Sequence, residues 1–420
     1  MRYVYSLLLY LLTPALLVYL LVRGVADRRW WSRWPERFGD FDATGWMRGI
    51  VVHAVSVGEV NAAAPLIRAL QQHWPDLEVT VTCFTPTGSE RIRALFGDSV
   101  HHLYAPIDLP GAVRRFFRAL KPRLLIVMET ELWPNLFQRA RGMDIPILVA
   151  NARLTGRSAR AWGRFASLAA QALQCATLIA AQSEEDARRF VKLGANPDRT
   201  RSVGNLKFDI DLPPDVAQRG RQWRARWGAD RTVLVAGSTH EEDERALLGA
   251  FSGVLDRFAD ALLVLAPRYP ERFGRAFEQA SVAGFAVARL SDGQPGRGVQ
   301  CLVIDGMGEL LALYAAADIA FVGGTLAPVG GHNPLEAAAL GRALIFGPQI
   351  GHIEGLAASL ISAGAAIEVE DEASLLEAWM SLQSDPAVRE RMGRAARQLV
   401  ERERGALQRS LDIVGAILFQ

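Results

Sequence analysis

Gly330 to Glu336 reads Gly-Gly-His-Asn-Pro-Leu-Glu, after the apolar run Asp318 to Val322 and at the opening of a helical stretch, Pro334 to Leu340. Glycines let a backbone approach a phosphate, and the N–H groups and positive dipole of a helix N-terminus attract the anion. Asn333 and Pro334 suit a helix start, and the Glu336 carboxylate can take two ribose hydroxyls. By itself the run fits an ordinary capped turn equally well. Other strand ends raise the same question. SVGEV places Glu59 at the entrance of the helical stretch Asn61 to Leu70, and ETELWPN sets Glu129 and Glu131 ahead of a Pro-started helix. Gly237 to His240 precede the acids Glu241 to Glu244, Pro267 and Arg268 follow Ala266, DGMGEL follows Ile304, and Lys207 stands in GNLKFD. Each has a plain explanation: carboxylates complement helix dipoles, hydroxyls cap, and lone cations are solvated. His240 and His332 lack a second ligand at metal spacing and read as local hydrogen-bonding residues. What favours a site is their number, because polar, anion-compatible groups at so many strand ends outline a cleft.

The elements that position these groups are short β-rich runs alternating with amphipathic helical stretches, the pattern of parallel sheets wrapped by helices. In the first half the strands are Ile50 to Val55, Val79 to Phe84, Leu124 to Met128, Ile145 to Ala150 and Leu178 to Ala181. The rhythm pauses at DLPPDVAQRG, residues 211–220, then resumes with Thr232 to Ala236, Ala261 to Ala266, Leu302 to Ile304, Ile319 to Val322 and Leu344 to Phe346. Two doubly wound α/β domains facing a cleft are expected, with ligands beyond the carboxyl ends of the strands. The Arg/Glu-rich stretch Asp385 to Phe419 is expected to be helical and to pack on the body.

A chain of 420 residues exceeds one core and fits two domains of ordinary size. Its net charge of +2 gives no footing for a nucleic-acid partner. Cys83, Cys175 and Cys301 are far apart and without metal or disulfide spacing, which suits a reducing compartment. Tyr3 to Val22 runs without a charge for about one bilayer thickness of helix. The stretch is long for a signal peptide, lacks an Ala-x-Ala site, and is followed by Arg23, Arg28, Arg29 and Arg33, so it reads as a membrane anchor with the body on the cytoplasmic side. The collar RRWWSRWPERFG suits the headgroup level of an anionic leaflet.

Together these segments resemble the 3-deoxy-D-manno-octulosonic acid (Kdo) transferases of lipopolysaccharide synthesis, nearly end to end. The resemblance rests on SVGE at 56–59, TPTGSER at 85–91, METELWPN at 128–135, ANARL at 150–154, LIAAQSEEDARRFVKLGA at 178–195, NLKFD at 205–209, APRYPERF at 266–273 and FVGGTLAPVGGHNPLEAAALG at 321–341. Departures are Tyr269 where a His is expected, Gly306 in place of a Thr, and Ala327-Pro328-Val329 in place of a more polar segment. The resemblance implies a GT-B glycosyltransferase of two Rossmann-like domains with an N-terminal anchor helix. It moves Kdo from CMP-Kdo to the lipid A precursor (lipid IVA) at the cytoplasmic face of the inner membrane, with inversion and without metal or cofactor. It further implies Glu59 as base, Glu131 and Lys207 as stabilisers of the reacting centre, and Pro267, Arg268, Met307, Gly308, Glu309, Asn333, Pro334, Leu335 and Glu336 around CMP. The implied division is an anchor over residues 1–25, an acceptor-binding domain over 26–210, a linker over 211–220, and a CMP-Kdo-binding domain over 221–420 whose last helix packs back on the N-terminal half. Anionic inner-membrane lipids and no nucleic acid are the expected partners.

Two other functions fit parts of the pattern. One is a membrane-associated transferase using a UDP-sugar and a lipid-linked acceptor, separated by CMP against UDP binding. The other is a non-catalytic nucleotide-binding scaffold, for which loss of the Glu59 carboxylate would be harmless.

Overall fold

A strand made wholly of apolar residues must be covered on both faces, and the central strands of this chain are of that kind. The structure is a computed structural model and describes residues 1–293 and 296–419. The chain divides into two compact units, one of Met1–Asp209 with the terminal segment from Glu403, the other of Ile210–Arg402.

The first unit holds a parallel sheet of β1 (Ile50–His53), β2 (Val79–Cys83), β3 (His101–Tyr104), β4 (Leu124–Met128), β5 (Ile147–Ala152), β6 (Leu178–Ala181) and β7 (Thr200–Ser202). Their order is β3-β2-β1-β4-β5-β6-β7, so the winding reverses between β1 and β4, where an open α/β sheet presents its ligand crevice. Every residue of β1, β2, β4 and β5 is buried. One face of the sheet packs Val52, Val81 and Ile126 with Val60, Leu66 and Ile67 of the helix Val57–His73; the other packs Val51, Leu125 and Val127 with Phe116, Phe117 and Phe137. The helix Ala406–Leu418 completes the first of these cores through Leu411, Val414 and Leu418. Asp209 holds its start, accepting from the backbone N–H groups of Gly405 (2.6 Å) and Leu407 (2.7 Å).

In the second unit the sheet comprises β8 (Val233–Thr239), β9 (Leu262–Pro267), β10 (Val287–Arg289), β11 (Cys301–Val303), β12 (Ile319–Val322), β13 (Ala343–Phe346) and β14 (Ala366–Glu368). The order β10-β11-β9-β8-β12-β13-β14 is again parallel throughout and reverses between β8 and β12. The expected doubly wound α/β class is therefore observed twice. Four strands were not expected: β3, β7, β10 and β14, which stand at or near the sheet edges and are only partly buried. Within residues 211–220 the chain is irregular as far as Asp215 and then enters the helix Val216–Trp227.

The apolar N-terminal segment forms one helix, Arg2–Ala26, the single helix among the described residues long and apolar enough to cross a membrane. Leu9 and Leu16 pack with Ile107, Leu109, Ala112, Phe38 and Phe84 of the same unit.

Candidate active site

In the first unit the carboxyl ends of β1 and β4 bring three carboxylates together. Ser56 caps the helix Val57–His73, which sets Glu59 in its first turn, directly beyond β1. Its Oε2 accepts from the Val55 N–H (2.6 Å) and its Oε1 from the Ser56 hydroxyl (3.0 Å). Burial pushes the Glu59 carboxyl up to about 7, the negative charges of Glu131 and Glu129 adding to the effect against the pull of those donors. Glu129 leaves β4 with φ of 53°, a left-handed conformation costly for a non-glycine residue and a common mark of a functional turn. Burial also raises the Glu131 carboxyl, although it accepts from the Trp133 indole N–H at 2.7 Å. The Trp133 ring stands edge-on to buried His53, centroids 4.7 Å apart, and so walls one side of the cluster. A carboxylate with its proton affinity near neutrality beside other carboxylates is equipped to accept a proton from a hydroxyl.

Lys207 lies on the turn Leu206–Phe208, which packs against the same helix as Glu59. Its ammonium makes no ion pair with Glu59, Glu129 or Glu131 among the described residues. The turn is held by Asn151, whose Oδ1 accepts from the Leu206 N–H at 3.0 Å. Asn151 has φ of 51° at the register shift between β5 and β6. Its positioning role was missed from the sequence, where ANARL served only as a matching segment.

In the second unit the groups beyond β8, β9 and β12 converge. Arg268 follows β9, donates its N–H to the Thr239 carbonyl (3.0 Å) and lies over the Tyr269 ring at 5.4 Å. Tyr269 stands edge-on to His240, and His240 and His332 share a hydrogen bond between their Nε2 atoms at 2.9 Å. Burial, with the charges of His240, Arg268 and His352 nearby, holds His332 down at about 4. The two histidines therefore bond each other, as local polar residues. Asn333 Oδ1 accepts from the Leu335 N–H at 3.1 Å and so opens the helix Leu335–Ala339, a single turn and a half whose dipole is small. Glu336 is half-buried, its carboxyl raised by that burial, and among the described residues it has no hydrogen-bond partner. Its oxygens are free for a ligand's hydroxyls.

Asp243 organises the loop between β12 and that helix. Fully buried, it accepts from the backbone N–H groups of Gly324 (2.7 Å), Leu326 (2.9 Å), Ala327 (3.1 Å) and His240 (2.9 Å). The loop comes so close to β8 that a Cβ on Gly323 would lie 2.3 Å from the Ser238 carbonyl oxygen. From sequence Asp243 was one of four acids at a helix start. Pro267 lies in β9, Pro334 and Leu335 are buried beneath the loop, and Met307 and Gly308 are exposed beyond β11. Glu309 is committed to an ion pair with Arg219 at 2.7 Å, which ties the helix Leu310–Ala316 to Val216–Trp227.

A family profile described as 3-deoxy-D-manno-octulosonic-acid transferase (kdotransferase) matches residues 32–210. The chain is similar to the 3-deoxy-D-manno-octulosonic acid transferase of Haemophilus influenzae, 38% identical over 417 residues and covering 98% of each chain. It is also similar to that of Bordetella pertussis, 36% identical over 428 residues and again 98% of each. Among solved structures, MurG of Acinetobacter baumannii shares the fold, with a TM-score of 0.58 at 15% identity over 88% of this chain and 99% of the other. The paired doubly wound sheets are thus of the GT-B glycosyltransferase type, and with near-complete coverage at this identity the chain belongs to the 3-deoxy-D-manno-octulosonic acid transferase family.

Proposed function

We propose that this Kdo transferase uses CMP-Kdo as donor and a lipid A precursor as acceptor, inverts the anomeric carbon, and needs no metal ion. The family membership supports the donor and acceptor, and the observation that carries the mechanism is the Glu59 carboxyl, buried at a strand end with Glu131 and Glu129 beside it. A sugar hydroxyl attacks well only as its proton is removed, and one-step inversion needs one base on the acceptor side. Glu59 takes that proton, the hydroxyl oxygen bonds to the anomeric carbon, and the bond from that carbon to the CMP phosphate breaks. The reacting carbon bears its own carboxylate, and the Lys207 ammonium offsets that charge while Glu131 tunes the base. In the second unit Arg268 receives the leaving phosphate, which supports a metal-independent departure, and Glu336 holds the ribose. Pro267, Met307, Gly308, Glu309, Asn333, Pro334 and Leu335 complete the CMP surroundings. The helix Arg2–Ala26 keeps the body at the cytoplasmic face of the inner membrane.

Incubation of the purified enzyme with CMP-Kdo and lipid IVA in EDTA, products weighed by mass spectrometry, should show the mass gain of added Kdo. Activity restored only by Mg²⁺ would overturn the metal-free reading, and turnover of a UDP-sugar in place of CMP-Kdo would reassign the donor.

Two further results are expected. Arg268→Ala and Glu336→Gln should each weaken CMP binding by about 1–3 kcal/mol, the worth of a charge-assisted hydrogen bond. Calorimetric titration with CMP checks this, and wild-type affinity in both variants would remove these residues from the site. The pH profile follows from Glu59. A base must be deprotonated, so kcat/KM should fall as pH drops through about 7 and level off above it. Glu131→Gln removes a charge that raises the Glu59 carboxyl, so the acid limb should move to lower pH. An unmoved limb would mean that the titrating group is not Glu59.

A further inference from the structure

The N-terminal helix is fastened to the folded body from Arg2 to Leu16, and its last turns pack on the collar that follows it. Arg2 donates to the Gln138 side chain (3.4 Å), the Tyr5 hydroxyl to Asp108 Oδ2 (3.0 Å) and the Ser6 hydroxyl to Asn135 Oδ1 (3.0 Å), while Tyr10 accepts from the Gly111 N–H (3.4 Å). Asp108 is itself buried and also accepts from the N–H groups of Asn135 and Leu136, so the Tyr5 bond is made to the inside of the domain. At the other end Leu20 and Gly24 are buried, and Trp31 folds back to donate to the Leu21 carbonyl at 3.0 Å. A side chain on Gly24 would collide with the Trp31 ring, 1.7 Å away. Ser6, Leu9, Thr13, Leu16, Leu20 and Gly24 recur at three or four residues, one continuous stripe turned to the body.

The opposite face is the contrary case. Tyr3, Leu7, Leu11, Val18, Val22 and Val25 follow the same helical spacing and are 58–78% exposed. Such a band, extending about 37 Å for 25 residues, needs an apolar neighbour. A helix standing across a bilayer would have to draw the body, with its buried Asp108, into hydrocarbon or break the stripe. A helix lying in the interface keeps every contact and submerges only its outer face. Basic residues accompany this face: Arg23 and Arg28 at one end, and the exposed Arg114 and Arg118 on the helix Pro110–Leu120, whose Gly111 meets Tyr10. They match an anionic headgroup layer.

We propose that the helix Arg2–Ala26 lies flat in the headgroup and acyl boundary of one anionic leaflet, with the N-terminus on the same side of the membrane as the catalytic body. This deepens the membrane attachment proposed above and rests on it. A single cysteine ahead of Met1 on a short Gly-Ser spacer, in the full chain, reports the side, because Cys83, Cys175 and Cys301 are buried. Lys192→Cys, on an exposed body position, is the reference. In sealed inverted inner-membrane vesicles, an impermeant polyethylene-glycol maleimide should label both sites without detergent. Labelling of the reference alone, with the N-terminal thiol reacting only after detergent, would show a spanning helix and overturn the proposal while leaving membrane attachment intact. If the protein fails to sediment with the vesicles at all, the attachment and the proposal fall together. Flotation of the purified chain with phosphatidylethanolamine vesicles should improve on adding phosphatidylglycerol and weaken in high salt. Equal binding to both compositions would overturn the anionic part.

Discussion

Glu59→Gln is expected to lower turnover by roughly 10²–10⁴-fold, the usual contribution of a general base, with CMP affinity unchanged. The substitution keeps the volume and an oxygen to accept from the Val55 N–H, so the helix start it serves should persist. That matters because Glu59 sits three residues after the Ser56 cap and bonds back towards it, an arrangement that could be purely structural. The two roles differ in what they predict. A capping role costs about 1 kcal/mol of stability and little rate; a base costs rate and almost no stability. Single-turnover kinetics with thermal unfolding separates them. Near-normal turnover in the variant would transfer the role to Glu129 or Glu131, or end the mechanism.

Asp243→Ala should be the most damaging change in the second unit. Four backbone N–H groups lose a charged acceptor in a fully buried position, a cost of about 3–5 kcal/mol after partial relaxation. Part of that loss should appear as a lower Tm. The rest should appear in donor use, because the loop that Asp243 holds leads directly to Gly330–Glu336, and KM for CMP-Kdo should rise about tenfold or more. Asp243→Asn should rescue little, since its amide would point a donor at N–H donors. Unchanged Tm and unchanged donor KM would show that the loop is held by other means.

The sequence disclosed central strands and failed at the margins, for a physical reason. β1, β2, β4 and β5 are buried throughout and read as unbroken apolar runs. By contrast β7 and β10 have no buried residue, and a three-residue strand at a sheet edge carries too little hydrophobic signal to see. The site divides similarly. Glu59, Glu131 and Arg268 follow strands, where chemistry is sought, whereas Asp243 and Asn151 act by receiving main-chain N–H groups from distant segments. No spacing rule exposes such bonds, and an acid in a first helical turn already has an adequate local explanation. In the N-terminal helix, Tyr5, Ser6 and Tyr10 were isolated polar interruptions of an apolar run, and only their partners Asp108, Asn135 and Gly111 give them meaning.

The Asp209 carboxylate and the amide of Gly405 are 196 residues apart in the chain, yet they are in direct contact. On a ribosome moving at about 5–20 residues per second, Asp209 waits roughly 10–40 s for that partner. Throughout this interval Leu206, Val60 and their neighbours lack the apolar cover that Leu411 and Val414 bring. The nascent first unit is therefore expected to be the aggregation-prone species of this protein, completed only after translation of the whole intervening unit. Chaperone demand should accordingly peak late in synthesis, and slowing elongation within residues 210–402 should lower the soluble yield more than slowing it earlier.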